Sequence, residues 1–275
     1  MKKTFFEIQG FTWKARAPHQ QDAILIDNKV IQHNGLITKR CVYDTEQEWC
    51  AAIADGVSQS PKAAQASKKI LQLTSTAFKN SIPINFEYIQ NQFSLAFSSD
   101  HQSMGASTTL ALIHHTQSNF LSIKHLGNSR AYLYSLAQKF PRWFCLTRDH
   151  THLEELREKG ELKSGQNYAS IYNILTEFFC ADSSHLVNDQ NYLEEYLTEN
   201  EAIVLCSDGV HDILECHEWP LLNPTISIKD WLKQIKIKLE HCKAYDNVSI
   251  IVIRLKSTGQ QNPTLSNNEL GNYSS

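Results

Sequence analysis

An α+β fold, with antiparallel sheet and helices packed outside it, is what this 275-residue sequence predicts. Three observations lead there. Apolar runs of strand length recur at residues 23–26, 49–54, 202–206 and 248–253. Apolar positions at three- and four-residue steps mark helical stripes over residues 63–78, 86–97 and 228–239. The elements come as strands, two long helices, a run of strands, then a mixture, and this irregular order argues against a doubly wound parallel sheet.

Taken in order, residues 5–13 read as an edge strand. A polar loop follows, and Asp22 opens the strand at 23–26. The run at 49–54 stops abruptly on Asp55-Gly56. Pro61 suits the first turn of the helix over 63–78, and a second helix covers 86–97. From Ser107 the period changes to that of strands at 108–113, 120–126 and 131–134, read as an antiparallel meander with Gly127-Asn128 as a turn. A helix over 153–159 closes on Gly160. Residues 161–200 carry the weakest signal; 168–179 read as polar loop, and Glu194, Glu195, Glu199 and Glu201 as a solvated face. A short helix begins at Val210, and the stripe at 228–239 precedes the last strand. Beyond Lys256 the composition turns to Ser, Asn, Gln and Gly, so residues 1–255 are expected to form one domain and 256–275 a disordered polar tail.

With 41% hydrophobic residues the chain can bury a sizeable core. A net charge of -3 without a clustered Lys/Arg patch argues against a nucleic-acid partner. Seven cysteines without a CxxC pair read as reduced core thiols of a cytoplasmic protein. Glu7 and Gln9 interrupt the basic, apolar N-terminus, which is therefore not expected to be a signal peptide. No segment approaches the ~20 apolar residues of a membrane span. The expectation is a soluble cytoplasmic monomer with no membrane or nucleic-acid partner.

Carboxylates close the apolar runs. Asp55-Gly56 ends one, Asp208-Gly209 follows another, and Asp246 precedes a third, while Asp22 occupies the same kind of position at 23–26. A carboxylate at the mouth of a core strand is costly unless its charge is balanced. Hard ions such as Mg²⁺ or Mn²⁺ take oxygen ligands, so convergence of these ends would create a two-metal centre able to hydrolyse phosphate esters with a metal-activated water. From position alone Asp22 reads first as an ordinary turn residue. There is no GxSxG, Walker A, HExxH or GxGxxG motif. The twelve histidines have no zinc-like spacing, and Cys206 reads as a packed thiol.

Seven segments in sequence order resemble the successive motifs of metal-dependent protein phosphatases of the 2C type, in the shorter bacterial form. They are Gln20-Gln21-Asp22, Ala54-Asp55-Gly56-Val57, Gly105-Ala106-Ser107-Thr108-Thr109, Gly127-Asn128-Ser129-Arg130-Ala131-Tyr132, Leu146-Thr147-Arg148-Asp149-His150, Cys206-Ser207-Asp208-Gly209-Val210 and Asp246-Asn247-Val248-Ser249. The resemblance spans roughly residues 10–255. It implies a four-layer α-β-β-α sandwich, two antiparallel sheets flanked by helices, with two Mn²⁺ or Mg²⁺ ions at one edge. It also implies that Asp55 bridges the ions, the Gly56 carbonyl ligates one, Asp208 and Asp246 complete the other, Asp22 acts through a metal-bound water, and Asn247 orients the Asp246 loop. The partners implied are phosphoserine and phosphothreonine proteins, substrates of a bacterial Ser/Thr kinase.

The departures matter. Asn128 stands where the family has an aspartate that helps to hold a third metal. Ala17 replaces the usual phosphate-gripping arginine, leaving Arg16 or Lys14 as substitutes. Ser58-Gln59-Ser60 follows Asp55-Gly56 where further glycines are usual, and Gln21 replaces an acid beside Asp22. Two readings therefore stand: an active serine/threonine phosphoprotein phosphatase, or a pseudophosphatase that binds phosphoproteins or partners. A phosphatase of small phosphoesters is a third.

Overall fold

The computed structural model describes residues 3–33, 35–136, 141–162, 168, 173–182, 184–189 and 192–258. The N-terminal part holds strands β1 (Thr4–Trp13), β2 (Asp22–Ile26), β3 (Lys29–Ile31), β4 (Cys41–Asp44) and β5 (Trp49–Asp55). Helices α1 (Ala63–Lys79) and α2 (Phe86–Phe97) follow, then β6 (Ser107–Thr108), β7 (Leu110–His115), β8 (Phe120–Leu126), β9 (Arg130–Ser135) and β10 (Arg142–Cys145). The remainder is α3 (His152–Glu158), β11 (Phe179–Cys180), β12 (Tyr192–Tyr196), β13 (Glu201–Cys206), α4 (Asp208–His211), α5 (Ile228–His241) and β14 (Val248–Ser257).

Two six-stranded antiparallel sheets stack face to face. The first has the order β10-β9-β13-β14-β1-β4, the second β12-β8-β7-β5-β2-β3. Alternation of side chains along each strand divides the apolar residues into three layers. Between the sheets lie Phe6, Ile8, Ile53, Ile113, Ile203, Ile251 and Ile253. On the outer face of the first sheet, Trp231, Leu232, Ile235 and Leu239 of α5 pack against Phe11, Val204 and Val252. On the outer face of the second, Ile70 and Leu71 of α1 and Phe86, Ile89 and Phe93 of α2 cover Leu25, Ala52 and Leu112. The molecule is thus an α-β-β-α sandwich of the α+β class, and the helical stripes in the sequence are core-facing.

Local signals explain most boundaries. Asn85 caps α2 by accepting from the Tyr88 N–H, Thr151 caps α3 through the Glu154 N–H, and Ser227 caps α5 through the Asp230 N–H. Gly160, with φ of +69°, lies just beyond α3 in the left-handed region that favours glycine. Pro61 is not in the first turn of α1: Lys62 is the cap residue, with φ of +54°, and the helix begins at Ala63.

Several expectations are corrected. Strand β1 is internal rather than an edge, because it pairs along its whole length with β14 and over Phe5–Ile8 with the short β4. The meander ends at β8: β7 and β8 pair in the second sheet, whereas β9 pairs with β10 and β13 in the first. The chain changes sheets at Gly127, whose φ of +103° excludes most side chains; a Cβ there would lie 2.5 Å from Thr109 Cγ2. Within the weakly patterned stretch, residues 192–196 form β12, an edge strand holding Glu194 and Glu195, while Glu201 begins β13 and accepts from Ser135 Oγ at 2.9 Å. All seven cysteines are free thiols, but only Cys50, Cys180 and Cys206 are buried. Strand β14 continues through Ser257, past the expected boundary at 255; the remainder of the expected tail, residues 259–275, lies outside the described residues. No described helix is long and apolar enough to cross a membrane.

Candidate metal centre

Strand ends from both sheets bring the acids together. Asp22 opens β2 and Asp55 closes β5, and the two stand directly opposite each other in antiparallel register. In the first sheet, β13 and β14 are neighbours; Asp208 begins α4 just beyond β13, and Asp246 lies just before β14. A site formed this way needs no long excursion of the chain. Each acid is carried by an element fixed in the core.

Hydrogen bonds account for only part of each carboxylate. Ser207 Oγ donates to Asp22 Oδ2 at 2.8 Å, and Asn128 Nδ2 donates to Asp208 Oδ2 at 2.9 Å. Asp22 Oδ1 and Asp208 Oδ1 are buried with no hydrogen-bond partner among the described residues. The Asp55 backbone is clamped: its N–H donates to Thr109 Oγ1 at 3.1 Å, and its carbonyl accepts from Thr108 Oγ1 at 2.8 Å and the Thr109 N–H at 2.8 Å. Asp246 Oδ1 accepts from the Asn247 N–H at 2.7 Å.

The site carries an uncompensated negative field. Burial pushes the Asp22 carboxyl up to about 7. Burial, with repulsion from Asp22 and Asp208, holds Asp55 well above the ordinary carboxylate range. Asp246 is raised by burial and by repulsion from Asp208. Desolvation disfavours the charged form and nearby like charges add to it, so this cluster must take up either protons or cations.

Close backbone packing holds the acids in place. A Cβ on Gly56 would come within 2.3 Å of the Ala63 carbonyl oxygen, where α1 begins. One on Gly209 would lie 1.9 Å from the Asn247 carbonyl oxygen. Asn247 fastens the loop before β2: its Oδ1 accepts from the Gln21 N–H at 2.6 Å, and its Nδ2 donates to the carbonyls of His19 at 2.9 Å and Lys14 at 3.2 Å. Asn247 thus positions the backbone of the loop before β2. Beside the cluster, Arg130 grips Asp149 through two bonds of 2.7 and 2.6 Å, which engages that carboxylate away from the other four acids.

A cavity of about 400 Å³ opens onto Asp55, Gly56, Asp208 and Asp246, with Asn128 and Gln59 also on its wall. Asp22 lies behind it, fully buried. The structure does not bring Arg16 here. That residue is exposed, is absent from the cavity lining, and is held by its backbone N–H donating to the Ala244 carbonyl at 3.3 Å. No Lys or Arg is among the described residues lining the cavity. The sequence reading also missed the apolar wall of Ile174, Leu175 and Phe178. The β6–β11 ribbon and a bridge between Thr151 and Leu175 hold this wall in place, and nothing periodic in residues 161–200 announces it.

Among the described residues, no three His, Cys, Asp or Glu side chains stand in the arrangement of a ready-made metal cage. The donor set nevertheless suits hard divalent cations. It consists of oxygens, two of them buried without a donor, and Mg²⁺ commonly keeps several waters while taking only one or two protein carboxylates. The oxygen donors of the described lining suit Mg²⁺ or Mn²⁺ better than Zn²⁺. The acids and the Gly56 carbonyl fit such ions.

Neither a protein-family model nor a curated protein matches the sequence. Solved structures do. The serine/threonine phosphatase Stp1 from Staphylococcus aureus is similar with a TM-score of 0.71 and 19% identity, over 90% of this chain and 94% of that one. The serine/threonine phosphatase of S. agalactiae is similar at 0.70 and 17%, over 90% and 99%. The catalytic domain of the serine/threonine protein phosphatase PstP, in complex with two manganese ions, is similar at 0.64 and 15%, over 92% and 99%. These likenesses establish the fold class: the chain has the 2C-type architecture of bacterial serine/threonine phosphatases.

Proposed function

We propose that the protein is a Mn²⁺- or Mg²⁺-dependent serine/threonine phosphoprotein phosphatase. The observation that carries this reading is the meeting of Asp22, Asp55, Asp208 and Asp246, from four strand ends, with two buried carboxylate oxygens left without a donor. Asp55, the Gly56 carbonyl, Asp208 and Asp246 would hold two ions, with Asp22 behind them acting through a water. Bound there, the ions supply charge for the phosphoryl oxygens and render a water acidic enough to attack phosphorus at neutral pH. The PstP structure with its two manganese ions supports this choice of cofactor.

The protein's own groups have separate tasks. Ser207 holds one Asp22 oxygen, leaving the other facing the cluster. Burial pushes Asp22 up to about 7 in the metal-free protein, and bound cations would draw it toward its charged form. The wall of Ile174, Leu175 and Phe178 shelters the cavity from water on one side. Hydrolysis proceeds by direct attack of water on phosphorus. The bond from phosphorus to the Ser or Thr oxygen breaks, and that oxygen leaves as the alcohol after taking a proton. Substrates are phosphoserine and phosphothreonine proteins of a bacterial kinase, met by a monomer in the cytoplasm.

The absence of Lys and Arg from the described lining favours a second reading. Without an arginine fork the phosphate is gripped by the metal ions alone, and a chain that binds partners with little turnover would share this site. The Asp208→Asn variant separates the two. Under the enzyme reading, it loses phosphothreonine-peptide hydrolysis by at least about 100-fold, more than the usual cost of disturbing an outer-shell partner. A wild-type protein that binds Mn²⁺ but turns over no phosphopeptide would establish the binding module.

A further inference from the structure

A second cleft, of about 580 Å³, lies on the outer face of the first sheet where α5 leaves the strands uncovered. Its floor comes from neighbouring strands. Glu7 of β1 stands in register with Arg254 of β14, and Lys256 lies two residues further along the same face. Its walls are the segment Thr38, Lys39 and Arg40 and the start of α5 at Ser227 and Lys229. The Gln9 amide donates to the Thr38 carbonyl at 3.0 Å, tying that wall to β1.

Charge in this cleft is unbalanced. Glu7 is its one acid, only 4% exposed, and both of its oxygens are already engaged: Arg40 donates to Oε1 at 2.7 Å and Arg254 to Oε2 at 3.3 Å. Lys256 is 9% exposed, and its Nζ stands 3.8 Å from Glu7 Oε2, beyond hydrogen-bond reach. Arg254 Nε is buried without a partner among the described residues. Lys39 and Lys229 are exposed at the rim. Four cations, Lys39, Arg40, Lys229 and Lys256, therefore line the cleft beside one neutralised carboxylate, with Arg254 buried beneath them, in a chain whose net charge is -3. Burial holds both the Lys256 ammonium and the Arg254 guanidinium below their ordinary ranges, and repulsion between the cations adds to it.

We propose that this cleft binds a small phosphorylated molecule through Lys39, Arg40, Lys229 and Lys256. A tetrahedral, multiply charged oxyanion suits a guanidinium and several ammonium groups converging from different walls. The cleft volume falls in the range of small-ligand sites. None of its lining residues borders the cavity at the acids, so it is a separate site.

Calorimetric titration of the full chain with pyrophosphate, without added metal, tests the proposal. One equivalent is expected to bind, and replacing the two exposed lysines together, Lys39→Ala with Lys229→Ala, is expected to weaken binding at least about tenfold, since each removes a charge-assisted contact. The Asp55→Asn variant is expected to bind pyrophosphate as the wild type does. Any of three results would overturn the proposal: no binding by the wild type, unchanged affinity in the double lysine variant, or clearly tighter binding in Asp55→Asn, where loss of a negative charge would favour an anion at the acids. Tighter binding of citrate than of pyrophosphate would overturn the assignment to phosphate.

Discussion

Asp22 and Asp55 face each other across neighbouring antiparallel strands, and the buried Oδ1 of Asp22 has no hydrogen-bond donor among the described residues. A carboxyl whose pKa is raised by folding binds its proton more tightly in the folded state. Its stabilising contribution is full below the unfolded value of 3.8 and is lost as pH rises toward about 7. In the absence of metal, the Asp22→Asn variant should therefore be more stable than wild type at about pH 8 and lose this advantage at about pH 4, a difference on the order of a few kcal/mol. Thermal unfolding in EDTA at the two pH values checks this. Added Mn²⁺ should reverse the order at the higher pH.

Asn128 directs its amide at Asp208, where the resemblance expects a metal-binding acid. Asn128→Asp replaces that donor with a second negative charge. The variant should melt at a lower temperature than wild type in EDTA and bind Mn²⁺ more tightly, by about 10-fold if the added ligand resembles other charge-assisted contacts. An unchanged metal titration would show that residue 128 does not face an ion.

The close approach of Gly209 to the Asn247 carbonyl leaves no room for a methyl group. Gly209→Ala should cost about 1–3 kcal/mol in denaturant unfolding, as overpacking does. It should also weaken metal binding, because Asn247 and Asp246 must shift together. A fully stable variant with wild-type metal affinity would contradict this packing.

Arg16 is exposed and lies outside the cavity lining. Arg16→Ala should leave kcat and KM for a phosphothreonine peptide within about twofold of wild type, as surface substitutions away from a site usually do. A large rise in KM would mean that the loop swings Arg16 onto the phosphate when substrate binds.

The acids were readable in the sequence because each terminates an apolar run, where an unbalanced charge would be expensive. The strands bearing them were readable for the same reason: their alternation or continuous hydrophobicity reports burial directly. The change of sheet at Gly127 was not, since β8 and β9 have the same local pattern whether they pair or part, and only long-range partners decide. Strand β12 alternates exposed and half-buried residues without a strong apolar face. Ser207 and Thr109 lie within the recognised motifs, but that one holds Asp22 and the other clamps Asp55 is visible only in the hydrogen bonds. Arg16 was proposed by proximity in sequence, which does not determine where a loop side chain points.

The central claim is that the four acids form a metal-dependent phosphohydrolase site. Hydrolysis of a phosphothreonine peptide by wild type and by Asp55→Asn, each with Mn²⁺ and with EDTA, tests it most directly. The account predicts turnover by wild type with Mn²⁺, and none above background in EDTA or in the variant. Turnover that survives EDTA, or that Asp55→Asn retains in full, would contradict it.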